Sequence, residues 1–194
     1  MVKRACLLGL GLSLAPLVAQ ASIVVALPEP ELIARADTIV LGVVLHTRTV
    51  THEPEGVVAT QVDLQVYEGL RGALPGDIIT LEVPGGTLEN GMLAYSAGAP
   101  TFRTGEIVFG FLVSRNGVQR PLGLSYGVLR ARPDGRGSYL LYRDLSDLIL
   151  VTSTGQAVDP ATTVVDGVPL AEMVARVTRR LQEIGVPTPG RVKP

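Results

Sequence analysis

Residues 38–66 read TIVLGVVLHTRTVTHEPEGVVATQVDLQV, and this stretch decides the fold class. Its opening half is continuously apolar, whereas the residues that follow alternate between polar and apolar side chains on both sides of a polar turn, Glu53–Gly56. Alternation with a period of two is typical of a β-strand that buries one face. The stretch therefore predicts two strands, Thr38–Val50 and Val57–Tyr67.

Further short strands are predicted along the rest of the chain. Pro133-Asp134-Gly135 is a turn sequence, because proline fixes φ and glycine accepts a positive φ, so the strands on either side of it should form a hairpin. The remaining predicted strands are Asp77–Val83, Glu106–Val113, Gln119–Leu124, Tyr126–Arg132, Gly137–Tyr142 and Asp147–Ser153.

Two helices complete the predicted elements. Pro28–Ala36 has a proline and acids in its first turn, and Val168–Ile184 carries one continuous apolar stripe before Gly185 ends it. Many strands at short spacing without alternating helices favour a mainly β fold, a small antiparallel barrel or sandwich, with the C-terminal helix covering one open end or face.

The first residues have the pattern of an export signal. Lys3 and Arg4 precede an apolar run of about a dozen residues, which is shorter than a membrane span, and Ala19-Gln20-Ala21 supplies the small residues that a signal peptidase reads. We predict a signal peptide over residues 1–21, cleavage between Ala21 and Ser22, one β-rich domain over residues 22–184, and a frayed tail over residues 185–194. Mass spectrometry of the secreted protein tests this, and a retained Met1 would contradict it.

Composition excludes several classes of function. Without Lys3 and Arg4, 15 basic and 18 acidic residues remain, a net charge of −3 with no basic patch for nucleic acid or anionic lipid. The single cysteine, Cys6, lies in the predicted signal peptide, so the processed chain has no thiol nucleophile, disulfide or thiolate metal site. We expect no cofactor, no metal and no membrane span after signal removal.

A spaced pattern of small and apolar residues supports a family resemblance. It comprises Ala36-Asp37 with Gly42, Tyr67-Glu68-Gly69-Leu70-Arg71-Gly72, Gly85-Gly86, Gly98-Ala99-Pro100-Thr101-Phe102 and Gly105-Glu106. Over roughly residues 32–129 the chain resembles an uncharacterised exported bacterial β domain that precedes some matrixin-type metalloproteases. It is also similar to the netrin-like, OB-type modules of tissue metalloprotease inhibitors. Those inhibitors chelate the zinc of their target through an N-terminal cysteine, which the processed chain lacks, and no His-Glu-x-x-His protease motif is present.

The first choice for a functional surface is the long connection Pro84–Phe102. A connection of about 19 residues without its own secondary structure is usually functional or mobile. The residues proposed for binding are Gly85, Gly86, Gly98, Pro100, Phe102 and Glu106. Glu106 begins a very apolar strand, where it is expected to bind loop amides, or else to be a buried acid with a raised pKa.

Three other motifs resemble sites but do not meet the requirements of their chemistry. Gly123-Leu-Ser125-Tyr-Gly127 matches a nucleophile elbow, yet a strand-like run follows it and both histidines precede it, so we expect a turn. His46 and His52 are too far apart on an extended strand to share one ion unless the chain folds back. The arginines near the Pro133 turn, at positions 130, 132 and 136, are expected to pair internally rather than grip an anion.

These observations leave three functional hypotheses. The favoured one is a secreted, non-catalytic binding or accessory module whose partner, a protein or other extracellular ligand, is unknown. The second is a protease-regulating domain that acts through the loop or an edge strand by β-augmentation rather than by zinc chelation. The third is an enzyme of unrecognised type, for which no catalytic residues are assigned.

Overall fold

A computed structural model describes residues 21–163 and 165–187 of the chain. The strands are β1 (Ser22–Val25), β2 (Thr38–His52), β3 (Val57–Arg71), β4 (Ile78–Pro84), β5 (Gly86–Thr87), β6 (Leu93–Ala94), β7 (Ile107–Arg115), β8 (Val118–Pro121), β9 (Val128–Pro133), β10 (Tyr139–Tyr142), β11 (Leu148–Val151) and β12 (Asp166–Pro169). The helices are α1 (Glu29–Arg35) and α2 (Leu170–Glu183), and short 3-10 turns cover Leu124–Gly127 and Pro160–Thr162.

Most of the strands form one sheet of eight strands, in the order β12-β10-β9-β7-β2-β3-β4-β8. The far strand β8 also pairs with β7, so that β2, β3, β4, β8 and β7 make a partial ring. The β4–β8 side of this ring is parallel and is paired at a single position, Leu81 with Gln119. Two smaller sheets, the parallel pair β1–β11 and the hairpin β5–β6, lie outside the main sheet.

Two hydrophobic clusters lie on opposite faces of β2 and β7. One lies inside the partial ring and is built from short aliphatic side chains, among them Val40, Val62, Leu64, Leu81, Val108 and Leu112. The other lies between the outer face and the helices and contains Ile39, Leu41, Phe109, Phe111, Leu129 and Leu141. The opening half of β2 is continuously apolar because it is buried on both faces.

Both helices cover the outer face of the sheet. Helix α2 buries Met173, Val174, Val177 and Leu181, which are four of the six residues of the predicted apolar stripe, and α1 buries Leu32 and Ile33 beside it. The other two, Leu170 and Ile184, lie at the ends of the stripe, where Ile184 is exposed. A bidentate ion pair joins the helices, since Arg176 Nε and Nη2 donate to the Glu29 carboxylate at 3.1 and 2.9 Å. The predicted covering helix is therefore present, and it packs on a face of the sheet.

The structure confirms a mainly β fold but corrects several details of the prediction. Helix α2 begins at Leu170 rather than Val168, because residues 166–169 form the edge strand β12 against β10. Strand β1 was not predicted, and its pairing with β11 is parallel, so the sheets are not purely antiparallel. The hairpin across Pro133–Gly135 is confirmed by the pairing of Tyr139 with Pro133.

Two predicted segments fall largely outside the described residues. Of the predicted signal peptide only Ala21 is described, and of the predicted tail only residues 185–187. Neither helix in the described part of the chain has the length and apolar character needed to cross a lipid bilayer.

Candidate functional site

The connection between β4 and β7 has two parts with different surroundings. Residues 86–94 form the small hairpin β5–β6, in which Gly86 pairs with Ala94 and Thr87 with Leu93. Residues 97–106 instead run along the body of the domain and pack against it. The prediction of one structureless connection over Pro84–Phe102 is therefore wrong, because residues within it form a hairpin and an anchored base.

Gly86 allows the hairpin to pack closely against the two-stranded ribbon formed by β2 and β3. The hairpin lies on the inner face of this ribbon, the face that points into the partial ring. Gly86 has a φ of +148°, and a Cβ at this position would lie 2.7 Å from Thr60 Oγ1 and 2.9 Å from Thr49 Cγ2. The backbone of β5 can approach the two threonines this closely only without a side chain. The Thr60 hydroxyl completes the contact by donating to the carbonyl of Gly85 at 2.8 Å.

The second half of the hairpin and the residue that follows it expose large apolar side chains. Met92, Leu93 and Tyr95 are 59%, 68% and 55% exposed. Desolvation and the neighbouring Asp147 carboxylate both raise the pKa of the Tyr95 phenol. Three large apolar side chains are therefore exposed within four residues, and exposed apolar side chains grouped in this way are found at interaction sites. We call Met92, Leu93 and Tyr95 the hairpin patch.

The base of the connection is held by contacts with distant parts of the chain. The Gly98 carbonyl accepts hydrogen bonds from the backbone N–H of Ser125 at 3.0 Å and from its hydroxyl at 2.9 Å. The hydroxyl of Ser22 donates to the carbonyl of Ala97 at 2.6 Å. Gly98 itself has a φ of +72° and lies directly against Leu148 and Ser22, so its role is to let the chain pass close to β1 and β11.

The other predicted binding residues also belong to this base. Pro100 is buried, and Phe102 packs against the cluster inside the ring. The Glu106 carboxylate accepts a hydrogen bond from the backbone N–H of Arg103 at 3.3 Å, as expected for an acid that binds loop amides. It also forms a largely buried ion pair of 2.8 Å with Arg130, which in turn donates to the carbonyl of Thr101. These contacts hold the loop in place and give Glu106 a positioning role.

A polar cluster on the outer face of the ribbon was missed by sequence reasoning. The Glu82 side chain is only 5% exposed, and its carboxylate contacts Nε2 of His52 at 2.9 Å and Nη2 of Arg120 at 3.0 Å. Burial raises the pKa of Glu82, but the hydrogen bonds from Arg120 and His52 and the His52 charge outweigh it, so the pKa is lowered from 4.5. The only sequence signal was an acid between two core residues, Leu81 and Val83.

The serine of the elbow-like motif and the side chains near the Pro133 turn contact other parts of the domain. Ser125 lies in a 3-10 turn that leads into β9, and its hydroxyl is bonded to Gly98. Arg132 lies over the Tyr142 ring at 4.9 Å, while Asp134 accepts the backbone N–H groups of Arg136 and Ser138, which lower its pKa. Within the described part of the chain, no three His, Cys, Asp or Glu side chains converge as a metal site would require.

Comparison with models of known protein families, with curated proteins and with solved structures finds no match for this chain.

Proposed function

We propose that this chain is an exported, non-catalytic binding module, and that its partner, a protein or other extracellular ligand, contacts the hairpin patch. The observation that carries the proposal is the exposure of Met92, Leu93 and Tyr95 on a hairpin with a fixed base. A surface presented by a rigid support loses little conformational entropy on binding, which favours affinity.

The fold and the predicted leader support the same proposal. Five strands in a partial ring are compatible with the five-stranded, partly open barrel of OB-type modules. Strand β1 begins at Ser22, so signal cleavage after Ala21 would leave every described element intact. On the resemblance to exported and netrin-like domains, we propose a periplasmic or extracellular location.

Regulation of a protease is a second candidate function. Part of the edge of β2 has no strand beside it within the described residues, which is the geometry that β-augmentation requires. An inhibition assay against secreted metalloproteases separates this candidate from a module that binds without affecting proteolysis.

The experiment is capture of secreted proteins by the tagged, full-length exported protein. The triple variant Met92→Ser, Leu93→Ser, Tyr95→Ser removes the hairpin patch and keeps the residues that form the hydrogen bonds of Ala97 and Gly98. Its control is Leu74→Ser, Ile78→Ser, which changes two side chains of similar exposure, 56% and 62%, outside the hairpin. Deletion of residues 84–102 is unsuitable, since residues 97–102 contribute to the packing of the domain.

We expect the patch variant to lose capture of a defined partner while the control retains it, with both variants unfolding at the temperature of the wild type to within a few degrees. Equal capture by the wild type and the patch variant would refute the proposal.

A further inference from the structure

Half of β2 has an edge without a neighbouring strand in the described part of the chain. The strand pairs with β3 along its length, from Ile39 to His52, but it pairs with β7 only from Thr38 to Val43. The last contacts on that side join Val44 to Gly105 and Glu106. Residues 45–52 therefore extend beyond β7 with one side unpaired.

The hydrogen bonds of β3 show which backbone N–H and C=O groups of β2 point away from β3, toward the unpaired edge. Val58 and Val66 bond toward β4, since the Val58 carbonyl accepts from Gly85 and Val66 bonds to Gly76 and Asp77. Because bonding direction alternates along a strand, the even-numbered residues of β3 bond β4 and the odd-numbered ones bond β2. The β2 residues opposite the even positions are Thr47, Thr49 and Thr51, so their N–H and C=O groups point outward.

An open groove lies beside this edge. It has a volume of about 680 Å³ and is lined by Thr49, Thr51, Thr87, Leu88, Glu89 and Asn90. The threonine side chains belong to the same residues whose backbone groups point outward, so the groove adjoins the edge. Its single charged lining residue is Glu89.

We propose that the edge of β2 at Thr47, Thr49 and Thr51 binds an extended peptide segment of a protein partner as an added strand, with a basic side chain of that peptide in the groove beside Glu89. Outward N–H and C=O groups at alternate residues supply the main-chain bonds of β-augmentation, and the groove supplies side-chain selectivity. This inference rests on the proposed binding function and adds a second position of contact, separate from the hairpin patch, with the class of partner that it takes.

A second copy of the chain fits the same edge less well. Antiparallel pairing of two β2 edges about Thr49 would place the short side chains of threonine opposite each other and leave most of the groove unfilled. A groove of this size accepts a long side chain, and a lone carboxylate in its lining favours a cation over an anion. An extended peptide with an alternating lysine or arginine satisfies both features.

The test uses the full-length exported protein and synthetic capped heptapeptides of alternating valine and threonine with a central lysine, measured by isothermal titration and by NMR. Thr49→Pro removes the outward N–H group without removing a bond to β3, whereas the control Thr49→Val keeps that N–H group and a β-branched side chain. Glu89→Lys reverses the charge of the groove. A peptide N-methylated on the amides that would face β2 tests the main-chain bonds from the ligand side.

We expect the wild type and Thr49→Val to bind the lysine peptide, and Thr49→Pro and the N-methylated peptide to weaken binding about tenfold or more, as loss of main-chain bonds requires. Glu89→Lys should shift the preference toward a glutamate peptide. Circular dichroism and the unfolding temperature confirm that Thr49→Pro is folded.

Three results would overturn the inference: no binding by the wild type at millimolar peptide, equal binding by Thr49→Pro and Thr49→Val, or a dimer in sedimentation that Thr49→Pro dissociates. None of these depends on the hairpin patch. If the patch variant loses partner capture while the peptides fail to bind, the proposed function stands and only this inference falls.

Discussion

Glu82 provides the sharpest test of how the β2–β3 ribbon is held, through the substitution Glu82→Gln. The carboxylate is almost fully buried and receives charge-assisted hydrogen bonds from His52 and Arg120, whose side chains are about half exposed. His52 lies at the end of β2 and Glu82 on β4, two strands away in the sheet order. The contact therefore fastens the end of the ribbon to the body of the sheet.

The expected loss of stability in Glu82→Gln follows from the two hydrogen bonds that the carboxylate accepts. Hydrogen bonds to a charged group contribute about 1.5–3 kcal/mol each, and the exposure of both partners places these at the lower end. Because glutamine keeps one acceptor and nearly the same shape, we expect a net loss of about 2 kcal/mol in the free energy of unfolding at pH 7. For a domain of this size that corresponds to about 4–8 °C in the midpoint of thermal unfolding.

The lowered pKa of Glu82 determines how its contribution to the free energy of unfolding changes with pH. A carboxyl whose pKa is lower in the folded state stabilises the fold above its unfolded pKa, and this contribution disappears as the pH falls through the folded value. The difference between the wild type and Glu82→Gln should thus hold from pH 7 to about 4.5 and shrink toward zero below that.

Urea and thermal unfolding at a series of pH values measure this difference, with Glu55→Gln in the exposed turn of the same ribbon as the control. The control should change stability by less than about 0.5 kcal/mol. Equal stability of the wild type and Glu82→Gln at pH 7, or a difference that persists unchanged to pH 3, would refute the reasoning.

Three further substitutions test the packing of the domain. Leu181→Ala removes a fully buried side chain of α2 and should cost about 2–4 kcal/mol in urea unfolding. Tyr126→Phe deletes the hydroxyl that donates to the Leu27 carbonyl at 2.6 Å and should cost about 1–2 kcal/mol in the free energy of unfolding, with an unchanged far-ultraviolet circular dichroism spectrum. Gly98→Ala places a Cβ against Leu148 at a φ of +72° and should lower the unfolding free energy by about 1–3 kcal/mol, with a loss below 0.3 kcal/mol counting against the anchored base.

The elements that could be predicted from sequence are those whose pattern is long and local. Strand β3 alternates over many residues, and its apolar positions, such as Val62 and Leu64, are the ones buried inside the ring. The stripe of α2 likewise identified the buried residues Met173 and Leu181. In both elements the apolar side chains recur on one face, and that face packs against one hydrophobic cluster. Under this condition the spacing of apolar residues predicts which side chains are buried.

The elements that could not be predicted are short and depend on distant partners. Strand β1 has four residues, and it pairs with β11, more than a hundred residues away in the chain. Its three apolar residues, Ile23–Val25, carry no local indication of such a partner. Glu82 is similar, because its burial depends on side chains supplied by β2 and β8.

The glycines of the connection between β4 and β7 show a different limit of prediction from sequence. Gly86 and Gly98 were proposed as binding residues, but the sequence does not say which parts of the chain approach them. The structure separates their roles, since Gly86 seats the hairpin on the threonines of the ribbon and Gly98 lets the base pass β11. Of the six residues predicted for binding, Pro100, Phe102 and Glu106 contact the body of the domain.

The distribution of burial along β2 explains why binding would be concentrated at one end of the molecule. From Ile39 to Val44 the strand has a neighbour on each side, and its large side chains are buried on one face or the other. Beyond Val44 it keeps only β3 as a neighbour, and its inner face carries threonines instead of aliphatic residues. That half contributes little to the core, so its outward backbone groups and hydroxyls can be used for a ligand without loss of stability. Apart from the contact of His52 with Glu82, the packing of β2 is thus concentrated between Ile39 and Val44, and the proposed peptide contact uses the half of the strand that lies outside the core.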